Sequence, residues 1–201
     1  MAGHRDVGRF DEWSESYDRS RLQRIIFDPV QEHIVGVSSR EAPSVHTIVD
    51  VGCGTGRLLE RLRNAYPNAR LLGVDAAEGM VRVAALRPGV IATVATSEAL
   101  PIASGSVDML FTTMSFHHWA DQRSGLAEAC RVLAPGGRLL LADGIVTWWL
   151  RPFFAMARAR SRMHTAAELD ALFIGAGLQP AGRSVVPGLW GGVAVSVAVA
   201  P

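Results

Sequence analysis

Residues 47–59 read Thr-Ile-Val-Asp-Val-Gly-Cys-Gly-Thr-Gly-Arg-Leu-Leu, and this stretch decides the fold. The apolar, β-branched run at its start predicts a buried parallel strand. Three glycines spaced two apart, Gly52, Gly54 and Gly56, end that strand, and a helix is predicted from about Arg57. Such a turn lets a nucleotide-like ligand approach backbone N–H groups, because no Cβ intervenes and the helix start supplies donors.

The glycine spacing narrows the class of ligand. A dinucleotide-binding turn requires G-x-G-x-x-G, and counted from Gly52 its third glycine would fall where Arg57 stands. A P-loop requires Gly-Lys before Ser or Thr, but the chain contains no lysine at all. The pattern that remains is D-x-G-x-G-x-G, from Asp50 to Gly56.

This pattern resembles motif I of the class I S-adenosylmethionine-dependent methyltransferases, and similar segments follow in the expected order. They are Asp75 after the second predicted strand, a Leu-Pro turn at 100–101, the pair His117-His118, and Pro-Gly-Gly at 135–137. The chain is similar to the UbiE-like small-molecule group (methyltransferase type 11) over residues 10 to about 200. The resemblance implies a methyltransferase that uses S-adenosyl-L-methionine and releases S-adenosyl-L-homocysteine.

The resemblance also implies which residues hold the cofactor. Asp75 would accept hydrogen bonds from both ribose hydroxyls, with capping of the next helix as its alternative role. Tyr17 would close over the cofactor as a lid, although the N-terminal aromatic residues could equally be the packed face of helices. The full implied set is Tyr17, Asp50, Gly52, Cys53, Gly54, Gly56, Asp75, Ala76, Met80, Thr96, Ser97, Glu98 and Met114.

The adenine contacts depart from the family pattern at one position. Thr96 stands where the family has an aspartate that accepts from the adenine amino group, and a hydroxyl accepts that bond more weakly. Ser97 and Glu98 are nearby substitutes, although Glu98 could be only a solvated loop charge. Met80 could be ordinary core rather than part of the adenine pocket.

His117 and His118 are the candidate catalytic residues. They follow the fourth predicted strand, and ligands of open α/β sheets sit outside the carboxyl ends of strands. The segment is similar to L-H-H-x-x-D of small-molecule methyltransferases and to H-D-W-S-D of certain O-methyltransferases, whose first histidine is a general base. Many relatives keep such a pair for shape and for contact with adenosylmethionine, without an acid–base role. Asp143 and His164 are alternative bases, and a metal site is not expected because a third ligand is lacking.

A cluster of aromatic residues between positions 148 and 156 predicts a substrate-side helix within residues 144–164. Such a helix suits a small, aromatic or hydrophobic acceptor, with O-methylation favoured. Packing on the sheet or on a second subunit is the alternative. The acceptor pocket is expected to be open or completed by a partner subunit, for example in a homodimer.

The alternation of predicted strands and helices indicates a three-layer α/β/α Rossmann-like domain over residues 1–201. Its sheet is predicted to have seven strands, mostly parallel, with an antiparallel strand at the C-terminal end. Residues 1–40 form N-terminal helices and 41–143 the cofactor-binding core. Residues 165–201 form a C-terminal helix, with Thr165 and Glu168 as its capping box, and a β-hairpin. Within the core, a helix is predicted over about 57–65 and a strand over 107–113. A further helix is predicted to run to Leu133, followed by a turn at 134–137 and a strand from Arg138.

Composition limits the partners. The net charge of +1 provides no field that would attract nucleic acid or an anionic membrane. Two distant cysteines and a polar N-terminus predict a cytoplasmic protein without a secretory signal, and no membrane span is expected.

Three readings from other classes remain open at this point. A nucleic-acid methyltransferase is opposed by the charge, by the absence of an N/D-P-P-Y/F segment and by the lack of a loop cysteine. An oxidoreductase is opposed by the missing third glycine. A non-catalytic cofactor-binding or partner subunit would have the same glycine loop, so the sequence does not separate it from an enzyme.

Overall fold

The computed structural model describes residues 7–18, 23–41, 45–145, 163–188 and 192–201. The strands are β1 Thr47–Val51, β2 Arg70–Asp75, β3 Val90–Val94, β4 Val107–Thr113, β5 Leu133–Gly144, β6 Gln179–Val185 and β7 Val193–Val199. The helices are α1 Val7–Tyr17, α2 Asp28–Glu41, α3 Arg57–Ala65, α4 Glu78–Ala84, α5 Gln122–Val132 and α6 Ala166–Gly175, with a π-helical turn at Gln23–Phe27 and a 3₁₀ turn at Phe116–His118.

The seven strands form one sheet in the order β3-β2-β1-β4-β5-β7-β6. The pairs from β3 to β5 are parallel, and β7 runs antiparallel to both β5 and β6. Strand order reverses between β1 and β4, which is where open α/β sheets bind their ligands. The predicted seven-stranded, mostly parallel sheet with an antiparallel C-terminal strand is therefore confirmed.

Alternating side chains of the strands divide the apolar core between the two faces of the sheet. Ile48 packs with α2 and α3 on one face, whereas its neighbour Val49 packs with α5 and α6 on the other. Consecutive residues of a strand point to opposite faces, so β1 can be buried on both sides. Helices therefore cover both faces of the sheet, which gives the three layers of the α/β/α architecture.

The start of β5 differs from the sequence prediction. A helix to Leu133, a turn at 134–137 and a strand from Arg138 were expected, but the strand already begins at Leu133. The turn residues still pair, since Gly136 N–H donates to Ala200 O (3.1 Å) and Ala200 N–H donates to Gly137 O (2.9 Å). Pairing with the end of the chain therefore overrides the local turn signal of Pro-Gly-Gly.

Two further predictions concern the second half of the chain. Thr165 and Glu168 form the predicted capping box of α6, with each side chain bonded to the other's backbone N–H. The predicted substrate-side aromatic helix at 148–156 lies outside the described residues. Within the described ranges, no helix is both long and apolar enough to span a bilayer.

Candidate active site

A pocket opens at the carboxyl ends of β1, β2 and β4, under α1. Its empty space, counted together with the open solvent at its mouth, is about 800 Å³. Ten of the predicted site residues line it: Tyr17, Gly52, Gly54, Asp75, Ala76, Met80, Thr96, Ser97, Met114 and His118. Residues remote in sequence thus converge on one cavity.

The glycine loop after β1 is shaped by close contacts. Gly52 has a φ of 75°, and a Cβ there would lie 1.8 Å from the Ser115 hydroxyl oxygen, so no side chain fits. Gly54 has a φ of 53° but open space around it, which leaves its face available to a ligand. At Gly56 a Cβ would meet the Arg87 stem and Ala84, at 3.1 and 3.2 Å.

The loop's N–H groups do not behave as the sequence predicts. Those of Gly52 and Cys53 donate to Val74 O (2.7 and 3.1 Å), and that of Gly54 donates to Asp75 Oδ2 (2.8 Å). The N–H of Gly56 donates to Cys53 O (2.9 Å). These donors are consumed inside the protein, so the loop offers close approach rather than an anion cradle. No arginine occurs among the described residues that line the pocket.

Asp75 ends β2 with its carboxylate in the pocket wall. Its Oδ2 accepts from Gly54 N–H and its Oδ1 from Ala77 N–H (2.9 Å). The N-cap position of α4 is Ala77, so Asp75 organises the turn before the helix rather than capping it. Burial raises the pKa of the Asp75 carboxyl, while backbone N–H groups, that of Ala77 foremost, oppose the rise. Each oxygen keeps acceptor capacity for a ligand hydroxyl.

Asp50 lies one residue before the pocket wall and does not line the cavity. Its side chain is 2% exposed, and its Oδ1 has no hydrogen-bond partner among the described residues. Burial, together with the neighbouring Asp75 carboxylate, raises the pKa of Asp50 to about 8. At neutral pH Asp50 therefore retains its proton and adds no negative charge beside the cavity.

Aromatic side chains from α1 and the π-helical turn cover the pocket. Tyr17 packs edge-on against Phe10 and Phe27, with ring centroids 6.5 and 6.0 Å apart. Burial raises the pKa of the Tyr17 hydroxyl, and a hydrogen bond with Gln23 opposes that rise. Phe10 in turn meets the ring of His118 at 5.4 Å, which links this aromatic cover to the end of β4.

The loops after β3 and β4 complete the wall. Met114 has a φ of 51°, the single positive φ among described non-glycine residues, and this conformation turns it into the cavity. Thr96 and Ser97 line the cavity, whereas Glu98 turns away and accepts from Asp121 N–H (2.9 Å). That bond and others lower the pKa of the Glu98 carboxyl against the effect of its partial burial.

The two histidines face different cavities. His118 lines the large pocket, and the His117 ring lies beside it, tilted by 44° with ring centroids 4.0 Å apart. His117 borders a smaller adjoining cavity, where its Nδ1 lies 2.9 Å from the carboxylate of Asp143. His164 borders the same small cavity and bonds through Nε2 to Gln122 Oε1 (2.8 Å). Of the predicted bases, only His118 therefore lines the large pocket. His117, Asp143 and His164 all border the small cavity.

Comparison with known proteins gives the family. Residues 49–141 match the model of the methyltransferase domain family. The chain is 43% identical over 114 residues to malonyl-[acyl-carrier protein] O-methyltransferase of Hahella chejuensis, covering 55% of this chain and 40% of that one. It is 33% identical over 114 residues to demethylmenaquinone methyltransferase of Thermus thermophilus, covering 54% and 51%. These matches identify residues 49–141 as a class I S-adenosylmethionine-dependent methyltransferase domain of the UbiE-like type.

The fold extends beyond the matched domain. A methyltransferase solved in complex with the Haloferax volcanii Trm112 methyltransferase activator superposes with a TM-score of 0.78 and 22% identity, over 96% of this chain and 97% of that one. The chain spans about half the length, or less, of the two curated relatives named above. The predicted family, the α/β fold and the S-adenosylmethionine cofactor of this methyltransferase family are confirmed.

Three predicted cofactor residues of this methyltransferase support the pocket from outside it. Cys53 is buried against Gly73 of β2, and burial raises the pKa of its thiol. Asp50 lies in β1 just before the loop, and Gly56 ends the loop against the side chains of Arg87 and Ala84. Sequence reasoning did not select Phe27, Ser115 and Trp119, which also line the pocket. The signal for Trp119 was its place directly after His118, but an aromatic residue at that spacing reads equally well as core.

Proposed function

We propose that this chain transfers the methyl group of S-adenosyl-L-methionine to an oxygen of a small, aromatic or hydrophobic acceptor. The observation that carries the proposal is the pocket in which Asp75, the glycine loop and the Thr96-Ser97 turn meet. The Asp75 carboxylate in its wall favours a cationic ligand over a dinucleotide, whose phosphates are anionic.

The residues present fit this cofactor. Asp75 would hold the ribose hydroxyls, Ala76 and Met80 would flank the adenine, and Gly54 would admit the ligand's close approach. The bound cofactor supplies a methyl group already activated on sulfur, and its transfer leaves a thioether. The protein's part is orientation, exclusion of water and proton removal.

Oxygen is favoured as the acceptor atom by the His117–Asp143 pair. With Nδ1 held at Asp143, the imidazole presents Nε2 as the nitrogen that can take a proton. A hydroxyl acceptor would lose its O–H bond to that nitrogen while the C–O bond forms and the methyl–sulfur bond breaks. A carboxylate acceptor, such as that of the malonyl group named for the Hahella relative, needs no base because it is already ionised.

The first test is isothermal titration with S-adenosyl-L-methionine and, separately, S-adenosyl-L-homocysteine. Wild-type protein is expected to bind both, and Asp75→Ala is expected to weaken binding at least tenfold, about 1.4 kcal/mol. Asp170→Ala is the matched control. This carboxylate lies on α6, away from the pocket, and pairs with Arg183 of β6 (2.6 Å). No binding by the wild type would remove the enzyme reading and favour a non-catalytic subunit of the same fold.

The second test is transfer of labelled methyl to panels of phenols, quinols, carboxylates and amines. Oxygen acceptors are expected to be labelled and amines not. Labelling confined to amines would overturn O-methylation while leaving the cofactor assignment intact. Parallel gel filtration with and without acceptor tests the proposed homodimer.

A further inference from the structure

Arg87 connects three segments that surround the pocket. Its Nε donates to the backbone oxygen of Thr55 in the glycine loop (2.5 Å) and its Nη2 to Asp18 Oδ2 (2.7 Å). Its Nη1 binds the carboxylate of Glu60 on α3. Asp18 directly follows Tyr17, so one guanidinium joins the loop, the α3 helix and the end of the aromatic cover.

Asp18 is held at both of its oxygens. Oδ2 accepts from Arg87, and Oδ1 accepts from the hydroxyl of Thr55 (2.5 Å). Thr55 is only 2% exposed, so its hydroxyl is fixed by the surrounding loop. The carboxylate therefore bridges the C-terminal end of α1 to the loop that shapes the pocket.

The backbone of Arg87 is itself held by hydrogen bonds. Its N–H donates to Ala84 O (3.0 Å), and its carbonyl accepts from Val90 N–H (3.2 Å). Its stem passes Gly56 so closely that a Cβ there would lie 3.1 Å from Cδ. The glycine at 56 thus makes room for an arginine side chain rather than for the ligand.

The middle of α1 has its own anchor. Asp11 Oδ1 accepts from the N–H of Gly79 in the first turn of α4 (2.7 Å). Ser14 packs on the same glycine, since a Cβ at Gly79 would lie 2.7 Å from the Ser14 hydroxyl oxygen. With this anchor in place, moving Tyr17 away from the pocket requires the bonds to Asp18 to break, along with the ring contacts to Phe10 and Phe27 and the hydrogen bond with Gln23.

We propose that Asp18, Thr55 and Arg87 form a latch that holds Tyr17 over the pocket and sets the rate at which the cofactor product leaves. The identity of that product, S-adenosyl-L-homocysteine, rests on the proposed function. Arg87 is a positioning residue, because it does not line the pocket and acts through Asp18. Side-chain exposures of 32% for Asp18 and 16% for Arg87 make the ion pair sensitive to salt.

The test compares Asp18→Asn and Arg87→Gln with Glu60→Gln. The control removes a carboxylate from the same arginine but does not touch α1. Stopped-flow release of S-adenosyl-L-homocysteine is expected to speed up about fivefold in the first two variants and to stay within about twofold of wild type in the control. Hydrogen exchange of the α1 amides is expected to accelerate in the same two variants. Raising the ionic strength should speed release from wild type but not from Arg87→Gln.

The outcomes separate the two proposals. Wild-type protein that binds no S-adenosyl-L-homocysteine would overturn both. Wild-type binding with unchanged release in Asp18→Asn would overturn the latch alone. Equal acceleration in Glu60→Gln, or release from wild type that is independent of salt, would reduce Arg87 to general support of the loop and also overturn the latch.

Discussion

His117 Nδ1 lies 2.9 Å from each carboxylate oxygen of Asp143, where β4 and β5 end side by side. The backbone N–H of His117 also donates to Asp143 Oδ2 (3.1 Å), so the carboxylate fixes both the ring and the main chain. Asp143 is 5% exposed, and its Oδ1 accepts from Gly144 N–H (2.7 Å). The pair is therefore built as a rigid unit beside the pocket that we propose for the methyl donor.

This unit predicts different outcomes for two kinds of acceptor. His117→Ala is expected to lower turnover with a hydroxyl acceptor by roughly 10²–10⁴-fold, because the proton then has no base. Turnover with a carboxylate acceptor is expected to stay within about tenfold, since no proton is removed there. Steady-state kinetics on both acceptors check this. An equal loss on both would assign His117 a structural role.

Asp143→Asn tests the orienting part of the same pair. The amide keeps the size of the side chain but can donate to Nδ1, which favours the other tautomer. The expected result is a fall in turnover for hydroxyl acceptors with unchanged cofactor affinity by titration. Asp170→Asn is the control. Loss of cofactor binding in Asp143→Asn would instead show that the carboxylate shapes the pocket.

Asp50 predicts a pH-dependent stability. Its pKa of about 8 in the folded state lies above the ordinary value of 3.8, so the folded state retains a proton that the unfolded chain releases. Stability from this group is thus fully present below about pH 4 and is lost as pH rises through about 8. Asp50→Asn cannot titrate, so its stability relative to wild type should rise with pH, by up to about 1.4 kcal/mol per unit. Urea unfolding across that window, with Asp170→Asn as control, checks the slope.

The sequence predicts those elements of the fold that are determined by neighbouring residues, and not those determined by contacts with distant parts of the chain. The prediction of β4 at residues 107–113 and of α3 at 57–65 matches the structure, because apolar runs and periodicity are local signals. The predicted beginning of β5 was wrong, because the turn residues before Arg138 pair with Ala200, more than sixty residues along the chain. The same limit hid the latch, where Arg87 meets Asp18 across 69 positions.

The same distinction separates the features of the site that the sequence predicts from those that it does not. The position of Asp75 follows from its spacing after the glycine loop, and the structure places it in the pocket as that spacing predicts. The loop's donors were expected to face a ligand, but Val74 and Asp75 occupy them. Whether an N–H is already bonded depends on the neighbouring strand, and no local pattern encodes it.

Gly52 and Gly105 separate the cost of backbone conformation from that of crowding. Both have positive φ, 75° and 64°, but only Gly52 would place a Cβ against another atom. Gly105→Ala is expected to cost about 1–2 kcal/mol of unfolding free energy from φ alone. Gly52→Ala should cost a further ~1–3 kcal/mol, because Ser115 must move. Urea unfolding of both variants, and of Gly52→Ala combined with Ser115→Ala or Ser115→Gly, checks the assignment. Of the two, only Ser115→Gly also removes the Ser115 Cβ, 2.5 Å from a Cβ at position 52, so it should recover more of the loss.

Gly54 completes the comparison, because it has a φ of 53° and no atom within 4 Å of a built Cβ, like Gly105. The two alanine variants should therefore lose similar stability, about 1–2 kcal/mol each. They should differ in cofactor binding, since the Cβ at 54 would project into the pocket and hold the ligand away from the loop. Titration with S-adenosyl-L-homocysteine is expected to give at least tenfold weaker binding for Gly54→Ala and wild-type binding for Gly105→Ala. Equal affinities would mean that the ligand does not approach the loop at Gly54, and the cofactor would then have to lie nearer Thr96 and Met114.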